Sequence, residues 1–208
     1  MTPDAQRIRY DLKIIESWIK PGSKVLGLGC GDGELLYALK NNKDVEERGI
    51  EKSGENAAVC ISKGLSVVQG DMIEEIEDYP DDAFDYVVLS QTLQEVFEPY
   101  ELMVSMLRIG KRVIVSFPNF AHWQTRLQLL LKGFAPVTEH LPYTWYSTPN
   151  IRVLTLNDFR NFSTEVGFEI DREININTHS HDMYGKTIEF LPNLRATYGV
   201  YMIKKVNR

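Results

Sequence analysis

The sequence predicts an α/β protein, a mainly parallel sheet with helices on both faces. Three observations carry that prediction. Strand-like and helix-like apolar runs alternate from residue 24 to residue 117, a rhythm that requires right-handed crossovers between parallel strands. The first strand run breaks into alternating glycines, Val25-Leu-Gly-Leu-Gly-Cys-Gly-Asp-Gly33, directly ahead of a helical pattern. The 208 residues are 43% hydrophobic and 25% charged, ordinary globular usage in a chain long enough to bury one full core.

Each element has its own signal. Ile8, Leu12, Ile15 and Trp18 or Ile19 recur at helical spacing and stop at Pro21-Gly22, so residues 4–19 read as a first helix. Lys24–Leu28 is the first strand and Gly33–Lys40 its helix; Val45–Ile50 and Glu55–Lys63 repeat the pair; Leu65–Gln69 is a short third strand. Phe84–Leu89 and Arg112–Phe117 are rich in β-branched and aromatic residues, which fit a pleated, buried surface, with Tyr100–Leu107 helical between them. After Pro118 the rhythm changes. Phe120–Leu131 reads as a helix with apolar residues on most faces, expected to pack against something. Residues 133–150 then hold Pro136, Pro142 and Pro149 among Phe134, Tyr143, Trp145 and Tyr146, and long aromatic loops in compact domains usually serve function or a partner. Thr155, with Asp158 three residues on, caps a helix to Val166. Glu169–Asn175 and Arg195–Lys204 close the chain as an antiparallel pair with no obvious helix between them. The expectation is one domain over residues 1–208, with seven strands, one of them antiparallel, and an aromatic and proline-rich insertion at about 120–150.

Composition excludes some functions. A net charge of −6 without a dense Lys/Arg block argues against nucleic acid as the main partner. Two cysteines cannot frame a disulfide scaffold, and with one inside the glycine turn a reducing cytoplasm is expected. Met1–Arg7 has no apolar signal core and no run is long enough to cross a membrane, so no membrane role is expected.

Sheets of this kind bind ligands at the carboxyl ends of their strands, near the switch point beside the first. After strand one come Gly29, Cys30 and Gly31, where glycines let the backbone approach a ligand closely. The dinucleotide fingerprint G-x-G-x-x-G does not fit, since its last place falls on Asp32 or Glu34. The tighter spacing is the one seen in S-adenosylmethionine (SAM) binding Rossmann-like domains. After strand two come Glu51 and Lys52; a carboxylate here can accept from both ribose hydroxyls. After strand three, Asp71 could accept from an adenine amino group and the Met72 backbone could pair with the ring edge. After strand four come Ser90 and Gln91. Any one of these is ordinarily a solvated loop residue. Together, at four successive strand ends, they mark a nucleoside-type site.

This layout resembles the class I SAM-dependent methyltransferases, Rossmann-like proteins whose seventh strand is inserted antiparallel. More narrowly, Ser90-Gln-Thr-Leu-Gln94, Ile114-Val-Ser-Phe-Pro-Asn-Phe120 with His122-Trp123, and Leu141-Pro-Tyr-Thr-Trp-Tyr-Ser-Thr-Pro-Asn-Ile151 resemble the MetW family, from about Tyr10 to about Gly167. That resemblance implies a role in methionine biosynthesis, SAM or S-adenosylhomocysteine (SAH) as ligand, and a homoserine O-acyltransferase as partner. One position departs from the pattern. The family usually has Asp or Glu where this chain has Gly27, and that acid organises the glycine loop and the methionyl end of SAM. Losing such a carboxylate removes ~1.5–3 kcal/mol, or roughly one to two decades in affinity, while the Gly29–Gly33 backbone and Glu51 remain.

No catalytic residue is assigned. Methyl transfer from a sulfonium begins with an activated leaving group, so positioning does much of the work and a base is needed only if the acceptor loses a proton. The acceptor-side candidates are His122, His140, Tyr143 and Tyr146, each more commonly structural. His179-Ser-His181-Asp182 reads as a surface loop rather than a zinc site, and no metal is expected. Two functions therefore stand: an accessory or regulatory factor for homoserine acylation that binds SAM or SAH, favoured by Gly27 and the missing base, and a SAM-dependent methyltransferase acting on a small-molecule acceptor.

Overall fold

The structure, a computed structural model, describes residues 8–178 and 182–206. Among these residues eight strands form one sheet: β1 (Lys24–Leu28), β2 (Glu46–Glu51), β3 (Val67–Gln69), β4 (Phe84–Ser90), β5 (Gly110–Pro118), β6 (Phe168–Asn177), β7 (Lys186–Thr187) and β8 (Tyr198–Lys205), in the order β3-β2-β1-β4-β5-β8-β6-β7. Pairings among β1 to β5 are parallel. The last long strand, β8, lies antiparallel between β5 and β6, as the resemblance implied. The expected seven strands become eight because β7, only Lys186-Thr187, pairs with the end of β6. Two polar residues carry no strand periodicity, so nothing in the sequence announces them.

Among the described residues eight α-helices accompany the sheet: α1 (Tyr10–Trp18), α2 (Glu34–Lys43), α3 (Gly54–Ser62), α4 (Met72–Glu75), α5 (Pro99–Ile109), α6 (Trp123–Lys132), α7 (Leu156–Val166) and α8 (Pro192–Arg195). Thr155 and Asp158 form the expected reciprocal capping box of α7. Because side chains alternate across a strand, β1, β4 and β5 feed two cores. Leu26, Leu28, Val87, Leu89, Val113, Val115 and Phe117 pack under α5 and α7, while Val25, Tyr86, Val88 and Ile114 pack under α1 and α2. Both faces are covered, which is why these strands are almost continuously apolar. The Phe159 ring sits 5.1 Å from Phe117 and 4.6 Å from Tyr201, locking α7 to the sheet.

The region after β5 differs from expectation. α6 starts at Trp123 rather than Phe120. Asn119 delays it: its Nδ2 donates to the Ala196 carbonyl at 2.9 Å and its Oδ1 accepts from the Ala121 N–H at 3.1 Å. Nor is α6 packed as its leucines suggest. Only Thr125 is buried, while Leu130 and Leu131 are 80% and 72% exposed. Residues 133–150 follow without helix or strand apart from a Thr138–Leu141 bridge. No helix among the described residues is long and apolar enough to cross a membrane.

Candidate cofactor-binding site

The sheet order reverses at β1, with β2 and β3 on one side and β4 and β5 on the other, and a crevice opens at the carboxyl ends there. Gly29, Gly31 and Gly33 have φ of +57°, +58° and +78°, backbone states that side-chain-bearing residues rarely adopt. At Gly31 a Cβ would point into open space; at Gly33 it would lie 2.5 Å from Leu65 Cδ1 and 2.8 Å from Cys60 Sγ. Gly31 thus leaves a cradle open, and Gly33 lets α2 close onto α3.

Glu51 ends β2 and is 8% exposed. Its Oε2 accepts from the Gly31 N–H at 2.7 Å and its Oε1 from the Ser53 N–H at 2.9 Å. The carboxylate expected to meet a ribose also clamps the glycine loop, and each oxygen keeps a second lone pair. Asp71 is the N-cap of α4, accepting from the Ile73 N–H and, at 3.0 Å, from Lys52 Nζ. The Ile73 N–H and the Lys52 ammonium hold its carboxyl below the usual range. Met72 follows, partly buried against the core. Cys30 lies in the loop as a free thiol near Cys60, and burial, then Cys60, pushes its pKa far up, so it is inert as a nucleophile.

Ser90 and Gln91 end β4 in a buried network that the sequence reading missed. Asp11 of α1 is 1% exposed. Its Oδ2 accepts from Gln91 Nε2 at 2.9 Å, Ser90 Oγ at 3.3 Å and Arg9 Nη2 at 3.1 Å, and its Oδ1 accepts from Arg9 Nε at 3.2 Å. Gln91 is held at φ +52°, a strained state of the sort that accumulates at functional sites. A signal was present: Asp11 falls three residues after Ile8 and four before Ile15, so a carboxylate occupies the apolar stripe of α1. Arg9 and Ser90 line, with Gly27–Asp32, Glu34 and Val88, a cleft of about 110 Å³.

The acceptor-side candidates are elsewhere. His122 and His140 are buried side by side, ring centroids 4.9 Å apart, in the wall of a separate cavity of about 250 Å³ with Asn177 and Thr197. Burial pulls the His122 pKa below the usual histidine range, the Arg195 carbonyl opposing it. Tyr143 and Tyr146 are exposed. None of the four lines the glycine-loop cleft. Among the described residues no group of three His, Cys, Asp or Glu side chains is placed to hold a metal; His179 and His181 lie outside the described residues.

The family profile of methionine biosynthesis protein MetW matches residues 9–203 of this sequence. The chain belongs to the MetW family. A Rhodopirellula baltica relative named bifunctional methionine biosynthesis protein MetXA/MetW is 34% identical over 217 residues, spanning 99% of this chain and 34% of that protein. This MetW-family chain therefore spans about a third of the length of the curated relative it matches. Among solved structures, a SAM-dependent methyltransferase of Thermotoga maritima described as a possible histamine N-methyltransferase has a TM-score of 0.67 at 19% identity, covering 95% of this chain and 88% of that one. A SAM-dependent methyltransferase of Archaeoglobus fulgidus has a TM-score of 0.66 at 15% identity, covering 93% and 94%. At such identities the likeness establishes the Rossmann-like methyltransferase fold and not the reaction. The matched MetW region includes Arg9 and Asp11 together with the glycine loop, so the buried network belongs to the family-matched part of the chain.

Proposed function

We propose that this chain binds SAM or SAH at the carboxyl ends of β1, β2 and β3 and serves methionine biosynthesis as an accessory or regulatory factor for a homoserine O-acyltransferase. The observation that carries the partner reading is the bifunctional relative, whose name joins MetXA to MetW in one chain. A surface suited to such a partner supports it. α6 and the segment behind it expose Leu130, Leu131, Phe134, Trp145 and Tyr146, and Trp123, Leu127, Leu131, Val137 and Pro142 line an open groove of about 610 Å³. Apolar patches of this kind on a soluble chain mark interaction sites, and exposed aromatics suit interface anchors.

The residues present fit the ligand. Gly31 leaves a cradle open, Glu51 would accept from the ribose hydroxyls, and Asp71 with the Met72 backbone would read the adenine edge, with Lys52 steadying Asp71, Cys30 and Ser90 walling the glycine-loop cleft, and Gln91 held beside Ser90 on Asp11. SAM, when bound, supplies a sulfonium-activated methyl group. Transfer to a small acceptor is less well supported, because His122 and His140 wall a separate cavity and Tyr143 and Tyr146 are exposed.

The test is calorimetric titration of the protein with SAM and SAH, without and with the acyltransferase, after co-expression of the two. Micromolar binding in either state and a stable complex are expected. No binding in both states removes the ligand reading; failure to form a complex removes the partner reading.

A further inference from the structure

Resting on the reading of this cleft as a SAM or SAH site, we infer that Arg9, at the start of α1, and Glu34, at the start of α2, supply the amino-acid-reading groups that position 27 lacks: Arg9 holds the ligand's carboxylate and Glu34 its ammonium. Gly27 places no side chain beside the loop, and the cleft there holds about 110 Å³, the space of roughly three or four waters. That is room for a small polar head such as an α-amino acid's.

The Arg9 guanidinium is fixed before any ligand arrives. Nε and Nη2 make a fork on the two Asp11 oxygens at 3.2 and 3.1 Å, and Nη2 also donates to Ser90 Oγ at 3.2 Å. Asp11 is in turn held by Gln91. Nη1 keeps its N–H groups without a protein acceptor among the described residues, and Arg9 lines the cleft. A planar, preorganised guanidinium with free donors is the group that best matches a carboxylate. Glu34, the first residue of α2, lines the same cleft; its Oε1 accepts from the Arg9 backbone N–H at 3.0 Å, leaving Oε2 for a cation. One cleft thus presents both a cation and an anion, the pair that a zwitterion needs, so it selects nucleosides that carry an intact amino-acid tail.

Calorimetry with SAM and with decarboxylated SAM, which differ by that one carboxylate, tests this on the full chain and its Arg9→Gln variant. The native protein should bind SAM about ten- to a hundredfold more tightly than decarboxylated SAM, the worth of a charge-assisted hydrogen bond. Arg9→Gln should erase the difference by weakening SAM alone. Equal affinity of the native protein for the two ligands overturns the inference without any variant, and so does a difference that survives in folded Arg9→Gln. Binding of neither ligand overturns the SAM reading and this inference with it.

Discussion

The two halves of the carboxyl edge are built on opposite principles. Around β1, β2 and β4 the polar groups are tied to one another: Glu51 clamps Gly31 and Ser53, Asp11 gathers Arg9, Ser90 and Gln91, and three glycines take left-handed backbone states. Beyond β5, α6 and residues 133–150 leave leucines and aromatic rings in solvent and form little regular structure. The first half is preorganised for a small polar ligand. The second leaves an apolar surface that, on the proposed function, a partner would cover. The proposed function therefore predicts that stability and binding share residues in the ordered half and separate in the exposed half.

Substitutions can break that comparison. The largest effect is expected at Gly33, where a Cβ meets Leu65 and Cys60 in a left-handed turn; Gly33→Val should cost about 3 kcal/mol or more, read as a fall in the denaturation midpoint. Glu51→Ala removes the acceptor of two backbone N–H groups and should cost about 1–3 kcal/mol while weakening SAM binding. Unchanged affinity in that variant would remove Glu51 from the ribose.

A smaller, pH-dependent effect sits in the sheet away from both regions. Burial pushes the Glu173 carboxyl up, but hydrogen bonds from Arg160 and Asn175 and the Arg160 charge outweigh it and hold it low. A depressed folded pKa means that the stabilisation is present above the unfolded value near 4.5 and is lost as pH falls through the folded one. Arg160→Leu should therefore move acid unfolding to higher pH, monitored by circular dichroism. The smallest stability effect belongs to the exposed half: Leu130→Ser and Trp145→Ser should change stability by no more than about 0.5 kcal/mol yet abolish co-purification with the acyltransferase. Substantial unfolding in either variant would show that these side chains serve the chain's own core.

The ordered half was largely legible in the sequence because local rules govern it. β1 was bounded at Lys24 and Leu28, the α7 capping box was signalled by Thr155 and Asp158, and the inserted antiparallel strand followed from the resemblance. Three features were hinted at or hidden rather than legible. The burial of Asp11 depends on α1 docking against β4 and β5, a contact between residues 11, 90 and 116. The late start of α6 depends on Asn119 reaching the Ala196 carbonyl. The exposure of the α6 leucines reverses the ordinary inference from apolar periodicity, which reads a buried face without saying whether this chain or another buries it.

The most direct measurement is the rate of homoserine acylation by the acyltransferase alone, with this protein, and with its Leu130→Ser variant at matched concentrations. The accessory role predicts a rate that changes several-fold on adding the native protein and stays at the acyltransferase-alone level with Leu130→Ser. A rate indifferent to the native protein would contradict it.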